Sequence, residues 1–285
     1  MARLVRATGP GDAARCGWLT GTAVRWADVD ALTALERGGP DGGNGGDPLG
    51  LEGLLAPIDA PEVWAAGVTY ERSRQARVEE TEVADVYSLV YEADRPELFL
   101  KDAGGRRTVG PGAAIGVRSD GHWSVPEPEL ALVLGRGRAI LGATIGNDVT
   151  ARDIEGTNPL YLPQAKVFAG ACAIGPAILP RDEWPASFAI HCRIRDPDGS
   201  IVWEDETSTA RMRRSFDELV EWLLRENPVP PGSILLTGTG LVPPDGVALR
   251  PGQSVEVEIP PIGRLVNPVE AAADLLAKER STTDG

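Results

Sequence analysis

VPEPELALVLGRGRAILGATIGND, residues 125–148, contains two apolar runs separated by a Gly-Arg-Gly-Arg turn, with acidic residues at its outer ends. Each run is only a few residues long and rich in Leu, Ile, Val and Ala, which suits a buried strand. On a strand, residues i and i+2 project from the same face, about 6.5–7 Å apart. Glu127 and Glu129 are so related. Two carboxylates facing the same way repel each other unless a cation lies between them or water surrounds them. Asp148 closes the second run. Three oxygen ligands of this kind, Glu127, Glu129 and Asp148, suit Mg²⁺ or Mn²⁺, with waters completing an octahedron. The plainer alternative is two turns carrying solvated acids, since Asn-Asp marks turns and acidic residues are mostly exposed.

The rest of the chain repeats this β-like character. From residue 97 onward, short runs such as ELFLK, AAIGVR, AIGPAIL, FAIHCRIRD, ILLTGTG and VEVEIPPIGRLV are separated by Gly and Pro turns. Many short strands punctuated in this way predict an all-β barrel or sandwich. One helix interrupts them, SFDELVEWLLRE (215–226), where Ser215 and Glu218 have the spacing of a capping box. A second, ERSRQARVEETEVADVYSLVYEA (71–93), lacks Gly and Pro, and its charges at three- and four-residue spacing predict a solvated face. The first 37 residues hold short alternating segments and a helix-like DVDALTALERGG, and a Gly-rich loop follows at 38–48. These features divide the chain into a small N-terminal domain, 1–57, and a main domain, 58–285. No internal repeat is present.

Composition removes several function classes. With 285 residues, 42% hydrophobic and 25% charged, the chain suits a packed globular protein. A formal net charge of −14 opposes nucleic-acid or anionic-membrane partners, which need clustered Lys and Arg. An anionic small substrate remains compatible, because a bound cation reverses the local field. No run of about 18 apolar residues predicts a membrane span, and the first residues lack the apolar core of a signal peptide. Three widely spaced cysteines, Cys16, Cys172 and Cys192, predict free thiols and a cytoplasmic protein. Only His122 and His191 are present, so multi-histidine chemistry is nearly excluded and zinc is a poor choice. Of the 28 basic residues only Lys101, Lys166 and Lys278 are lysine. Lysine, unlike arginine, gives up its proton when its surroundings lower its pKa.

Two further segments carry candidate chemistry. In PQAKVFAGACAIGP (163–176), Lys166 precedes small and apolar residues, a setting that desolvates an amine; a surface-snorkelling lysine is the alternative. In ILLTGTGLVPP (234–244), a strand runs into a Thr-Gly-Thr-Gly turn whose hydroxyls and backbone N–H groups suit a carboxylate. It also reads as a plain turn.

Taken in order, the Glu-x-Glu pair, NDVTARD, a Lys before Phe, and LTGTG resemble the fumarylacetoacetate hydrolase family. VWAAGVTY, FLK (99–101) and the closing VEVEIPPIGRLVNPV add to the resemblance, which covers residues 60–268. It implies a mainly β (α+β) fold, a mixed β-sandwich roll, with the small N-terminal domain in front. It also implies Mg²⁺ on Glu127, Glu129 and Asp148, with Mn²⁺ or Ca²⁺ as substitutes, and a catalytic Lys166. Arg152 and Thr239 are implied as substrate-binding residues, and the assembly as a homodimer or higher homo-oligomer. Residues 71–93 correspond to the family's lid.

One departure separates branches of the family. Its hydrolases and decarboxylases carry Tyr-x-Asp-His at the lid, with the His activating water, whereas this chain has Tyr70-Glu71-Arg72-Ser73. Ser73 thus stands where the base belongs, among the substrate-binding candidates. The VTYERSRQAR and YEADRPELFLK segments are instead similar to the 2-keto-3-deoxy-D-arabinonate dehydratases. That resemblance implies Mg²⁺-dependent dehydration of a 2-keto-3-deoxy sugar acid to 2,5-dioxopentanoate. A neutral Lys166 removes the C3 proton, and Glu97 serves as the acid for the C4 hydroxyl or holds a water. The alternatives are an acylpyruvate-type C–C hydrolase or oxaloacetate decarboxylase, and a non-catalytic 2-oxo acid binding protein.

Overall fold

The strand Pro128–Leu134 sends Leu130, Leu132 and Leu134 into one apolar cluster, and Ala131 and Val133 into another. A strand buried on both faces needs apolar residues at every position, which is why this run shows no polar alternation. Burying a Leu or Val side chain contributes about 1.5–3 kcal/mol. Four of them in one strand help anchor carboxylates at its start whose burial costs several kcal/mol per ion.

In the computed structural model, the described residues are 1–8, 13–40, 47–49, 53–80 and 84–283. Most of the Gly-rich stretch 38–48 therefore lies outside them. Pro128–Leu134 sits inside an eleven-stranded mixed sheet, antiparallel to Ile140–Asp148 on one side and to Ile234–Leu236 on the other. Next to Ile140–Asp148 runs Cys172–Pro180. Next to Ile234–Leu236 run Glu62–Gly67, in parallel, and then Glu97–Ala103.

A second sheet of five strands covers one face, in the order Ile201–Ser208, Ala189–Arg195, Ser254–Ile259, Gly263–Ala271 and Ile115–Val117. Its Ile190, Ile194, Val257 and Leu265 meet Leu130, Leu132, Ile145 and Leu179 in a single core. Both sheets are open along their edges, so of the two β architectures the fold is the sandwich and not a closed barrel.

The opposite face of the large sheet is covered by the N-terminal segment. Helix Ala31–Glu36, capped by the Asp30 side chain, buries Ala31, Ala34 and Leu35 beside Ile174, Ile178 and Val133. Strand Arg3–Thr8 pairs antiparallel with Cys172–Pro180, through Leu4 opposite Ile178, so the first strands extend the same sheet. Helix Phe216–Leu223 has one half of the predicted capping box: the Glu218 N–H donates to Ser215 Oγ at 3.1 Å, while the Glu218 carboxylate accepts from Arg214 at 2.6 Å, and Leu219, Val220 and Leu223 are buried behind the cap. Of residues 71–93, the described ones include two helices, Glu71–Glu80 and Ala84–Glu92, and 81–83 lie outside the described residues. All three cysteines are free and buried. No helix among the described residues is long and apolar enough to cross a membrane.

Candidate active site

The antiparallel register sets the two acidic segments against each other. Pro128 pairs with Asn147 and Glu129 with Gly146, which leaves Glu127 opposite Asp148. The Asp148 N–H donates to the Glu127 carbonyl at 2.9 Å. The Glu127 N–H donates to the Asn147 side-chain oxygen at 3.1 Å, which fixes the residue ahead of Pro128. On the other side of the strand, the Gly238 N–H of the Thr-Gly-Thr-Gly turn donates to Glu129 Oε2 at 2.5 Å. Gly238 has φ +90°, and a Cβ there would lie 2.0 Å from Thr69 Oγ1, so only glycine brings this turn so close.

Carboxylate oxygens of Glu127, Glu129 and Asp148 lie within 4.8 Å of one another, and no member of the trio is more than 4% exposed. Cations alternate with them. Lys166, at the end of the short helix Leu162–Lys166, donates to Glu127 Oε2 at 2.6 Å and to Asp148 Oδ2 at 2.8 Å. Lys101 pairs with the other oxygen of Asp148 and donates to the Val149 carbonyl at 3.0 Å. Arg152 donates to Glu127 Oε1 at 2.8 Å, and its Nε lies 4.0 Å from Glu155.

Burial, followed by the neighbouring Asp148 and Glu127, pushes the Glu129 carboxyl well above the usual range. With Glu129 keeping its proton, the remaining acids Glu127, Asp148 and Glu155 are matched by Lys101, Lys166 and Arg152, and a divalent cation would let Glu129 ionise as well. The donors facing one another in the trio are all carboxylate oxygens, which fits Mg²⁺ and equally Mn²⁺ or Ca²⁺.

All eight candidate residues, Ser73, Glu97, Glu127, Glu129, Asp148, Arg152, Lys166 and Thr239, line one cleft of about 420 Å³, counting its open mouth. Two of them turn their hydroxyls to the backbone. Ser73 Oγ donates to the Tyr70 carbonyl at 2.7 Å and accepts the Tyr70 N–H at 3.3 Å, at the start of helix Glu71–Glu80. Thr239 Oγ1 accepts the Leu241 N–H at 3.1 Å. Neither histidine lines the cleft: His122 is exposed beside Asp153, and His191 pairs with Glu206 on the second sheet.

Residues 62–270 match the family model for the fumarylacetoacetate (FAA) hydrolase C-terminal region. The chain belongs to the fumarylacetoacetate hydrolase family. Among its relatives, a probable 2-keto-3-deoxyxylonate dehydratase of Haloferax volcanii is 53% identical over 215 residues, 75% of this chain and 73% of that one. The 2-dehydro-3-deoxy-D-arabinonate dehydratase of Saccharolobus solfataricus is 46% identical over 223 residues, 76% of this chain and 74% of the other. A solved structure of 2-keto-3-deoxy-D-arabinonate dehydratase complexed with magnesium and 2,5-dioxopentanoate matches with a TM-score of 0.83 at 37% identity, covering 94% of this chain and 99% of that chain.

For this family member, sequence reasoning passed over two buried groups. Lys101 is fully buried against Asp148, and Glu155, 3% exposed, lines the cleft beside Arg152. For Lys101 a signal existed, as one of three lysines and the last residue of the FLK segment. Glu155 carried none, since a lone Glu on a short helix reads as a solvated residue.

Proposed function

We propose that this chain is a hydro-lyase that dehydrates a 2-keto-3-deoxy sugar acid, 2-keto-3-deoxy-D-arabinonate being the favoured substrate and 2,5-dioxopentanoate the product. The observation that carries the reading is a cleft holding three clustered carboxylates, a buried lysine and Glu97, but no histidine. The dehydratase relatives and the magnesium- and product-bound neighbour support the same choice. In this reading Glu127, Glu129 and Asp148 hold Mg²⁺. A divalent ion bound there polarises the 2-oxo group and acidifies the C3 protons.

The remaining chemistry is proton transfer by this chain's own residues. With a bound cation meeting the charge of Glu127 and Asp148, Lys166 would be free to lose its proton and, as the neutral amine, to accept one from C3. Glu97, as the acid, gives its proton to the C4 hydroxyl, which leaves as water while the C3–C4 double bond forms. The two groups then stand in reversed states. The Glu97 carboxylate accepts a C5 proton and the Lys166 ammonium returns one to C3, which gives the C4=C5 enol and restores both residues; the enol then passes its hydroxyl proton to C4 and becomes the C5 aldehyde. Arg152 orients Glu127 and carries positive charge toward an anionic substrate. Thr239 and Ser73 shape the substrate side of the cleft. C–C hydrolysis needs a base to activate water; with Ser73 bonded to the Tyr70 backbone, no histidine is in place to serve.

The same reading treats residues 1–57 as an appendage and 58–285 as the catalytic part, since the family match starts at residue 62 and all eight candidates lie beyond it. It also takes the protein as a cytoplasmic homodimer or higher homo-oligomer, with no nucleic-acid or membrane partner, in line with its net charge of −14 and three free cysteines. The deciding experiment incubates the protein and Mg²⁺ with C5 and C6 2-keto-3-deoxy acids, and in parallel with an acylpyruvate and oxaloacetate. Aldehyde release from a C5 acid is expected. Turnover confined to the acylpyruvate or oxaloacetate would reverse the assignment.

A further inference from the structure

The geometry points to Gly67 as the positioning residue for Glu97: the missing side chain at 67 is the space in which the Glu97 carboxylate lies. Gly67 ends strand Glu62–Gly67 and Glu97 begins strand Glu97–Ala103, and the two stand directly opposite each other in the antiparallel register. A Cβ added at Gly67 would lie 2.0 Å from Glu97 Oε2 and 2.5 Å from its carboxyl carbon, and the third nearest atom, at 3.2 Å, is again Glu97's. Facing side chains of an antiparallel pair normally stand beside each other, with Cβ atoms about 4.5–5.5 Å apart. Here one of them folds across the ladder onto its partner's backbone, into the cleft that both residues line.

Backbone conformation does not explain this glycine. Gly67 lies outside the left-handed region, in contrast to Gly238 at φ +90°. An L side chain is therefore acceptable at 67 as far as the backbone is concerned, and the three nearest atoms that its Cβ would meet all belong to Glu97. The Glu97 carboxylate is the far end of a flexible side chain, so it swings away when a methyl group arrives, while the strands stay paired. Gly67→Ala therefore removes Glu97 from its place without altering Glu97.

This inference rests on the reading of Glu97 as the acid for C4 hydroxyl loss, and the experiment separates the two. The variants are Glu97→Gln, Gly67→Ala and the double variant, each assayed for dehydration of the C5 keto-deoxy acid with Mg²⁺. A second assay follows C3 hydrogen exchange in D₂O with Mg²⁺ on 2-oxopentanoate, which has no C4 hydroxyl and, of the two proton-transfer residues, needs only Lys166. Loss of a general acid lowers kcat about 10²–10⁴-fold. Gly67→Ala is expected to lose as much as Glu97→Gln, and the double variant no more than either, because both changes remove one function. C3 exchange and the Mg²⁺-induced rise in melting temperature should stay near wild type in all three. A crystal structure of Gly67→Ala should show the Glu97 carboxylate displaced from the cleft.

Wild-type turnover in Gly67→Ala with an impaired Glu97→Gln overturns the inference and leaves the role of Glu97 intact. Additive losses overturn it too, since Gly67 then acts apart from Glu97. Wild-type turnover in Glu97→Gln removes the acid reading and the inference with it. Should Gly67→Ala fail to fold, Gly67→Ala/Glu97→Ala, which lacks the overlapping carboxylate, must fold; if it does not, the backbone itself needs the glycine and the inference is wrong.

Discussion

Glu127 and Asp148 are 21 residues apart in the chain yet face each other across one antiparallel ladder, joined by the 2.9 Å bond from the Asp148 N–H to the Glu127 carbonyl. Their side chains share the ammonium of Lys166, at 2.6 and 2.8 Å. Two like charges at this range are tolerated because a cation is interposed, and Glu129, beside them, is the carboxyl left to be pushed upward by burial.

On the proposed ligand set, protons and Mg²⁺ compete at Glu129. In the metal-free protein its raised pKa means that the folded state keeps a proton the unfolded chain loses near pH 4.3 (about, for a free Glu). That contribution to stability is complete below the unfolded value and is lost as pH rises through the folded one. The ion needs the ionised carboxylate, so its affinity rises with pH. At about one hundred times its Kd, Mg²⁺ should add about 2.7 kcal/mol, a rise in Tm of about 5–10 °C. Thermal scans with EDTA and with Mg²⁺ across pH 5–8 (roughly the window of maximal stability) should show this gain growing with pH, and Glu129→Gln should abolish it. A gain that ignores pH would place the ion elsewhere.

Lys166→Arg is expected to abolish turnover while leaving Mg²⁺ binding nearly intact. The guanidinium keeps charge and reach but stays protonated, so it cannot accept the C3 proton. Exchange of C3 hydrogens with D₂O, followed by NMR on a 2-oxo acid without a C4 hydroxyl, should vanish in the variant. Wild-type exchange would assign the base to another residue.

Lys101→Met tests the cation on the outer oxygen of Asp148. Both side chains are essentially buried, at 0% and 2% exposure. Removing one partner of a buried pair costs about 3–5 kcal/mol, and the lower end is expected here because Asp148 keeps Lys166 on its other oxygen. Urea unfolding of the metal-free variant should show that loss, and Mg²⁺ should recover part of it by neutralising Asp148. A cost below about 1 kcal/mol, as for an exposed pair, would mean that Lys101 is dispensable.

Helices Glu71–Glu80 and Ala84–Glu92 are proposed to act as the lid. They are tethered to the body by Arg213, which donates to Glu92 at 3.0 Å, and by Arg214, which donates to the Ala93 and Asp94 carbonyls. Segments that open for substrate belong to the less stable part of a structure. Amide exchange there should be fast in the ligand-free protein and slower with Mg²⁺ plus a 2-oxo acid. Identical protection in both states removes the lid role.

Deletion of residues 1–57 tests the proposed division of the chain. The deletion leaves all eight cleft candidates in place but uncovers strand Cys172–Pro180, which pairs with Arg3–Thr8, together with the apolar surface of Ile174 and Ile178. An unpaired apolar edge invites aggregation. The fragment is expected to lose solubility and to melt lower than the full chain by differential scanning fluorimetry. Unchanged melting would show that 58–285 folds as a unit of its own.

Local spacing and side-chain type were enough to read many of the strands, two helical regions and the candidate residues, though not the C-terminal helix Ala272–Thr283. Strand period placed Glu127 and Glu129 on one side, the capping pair Ser215 and Glu218 marked its helix, and the scarcity of lysine singled out Lys166. These are local properties, carried by spacings of two to four residues and by side-chain type. Tertiary structure alone decided what lies across from what. It set Asp148 opposite Glu127, brought the Gly238 N–H to Glu129 from 109 residues away, placed Lys101 beneath Asp148, and joined the N-terminal strands to the catalytic sheet. Register between strands distant in sequence arises from the packing of both sheet faces at once, with Leu130, Leu132 and Leu134 on one side and Ala131 and Val133 on the other. No single segment carries that information.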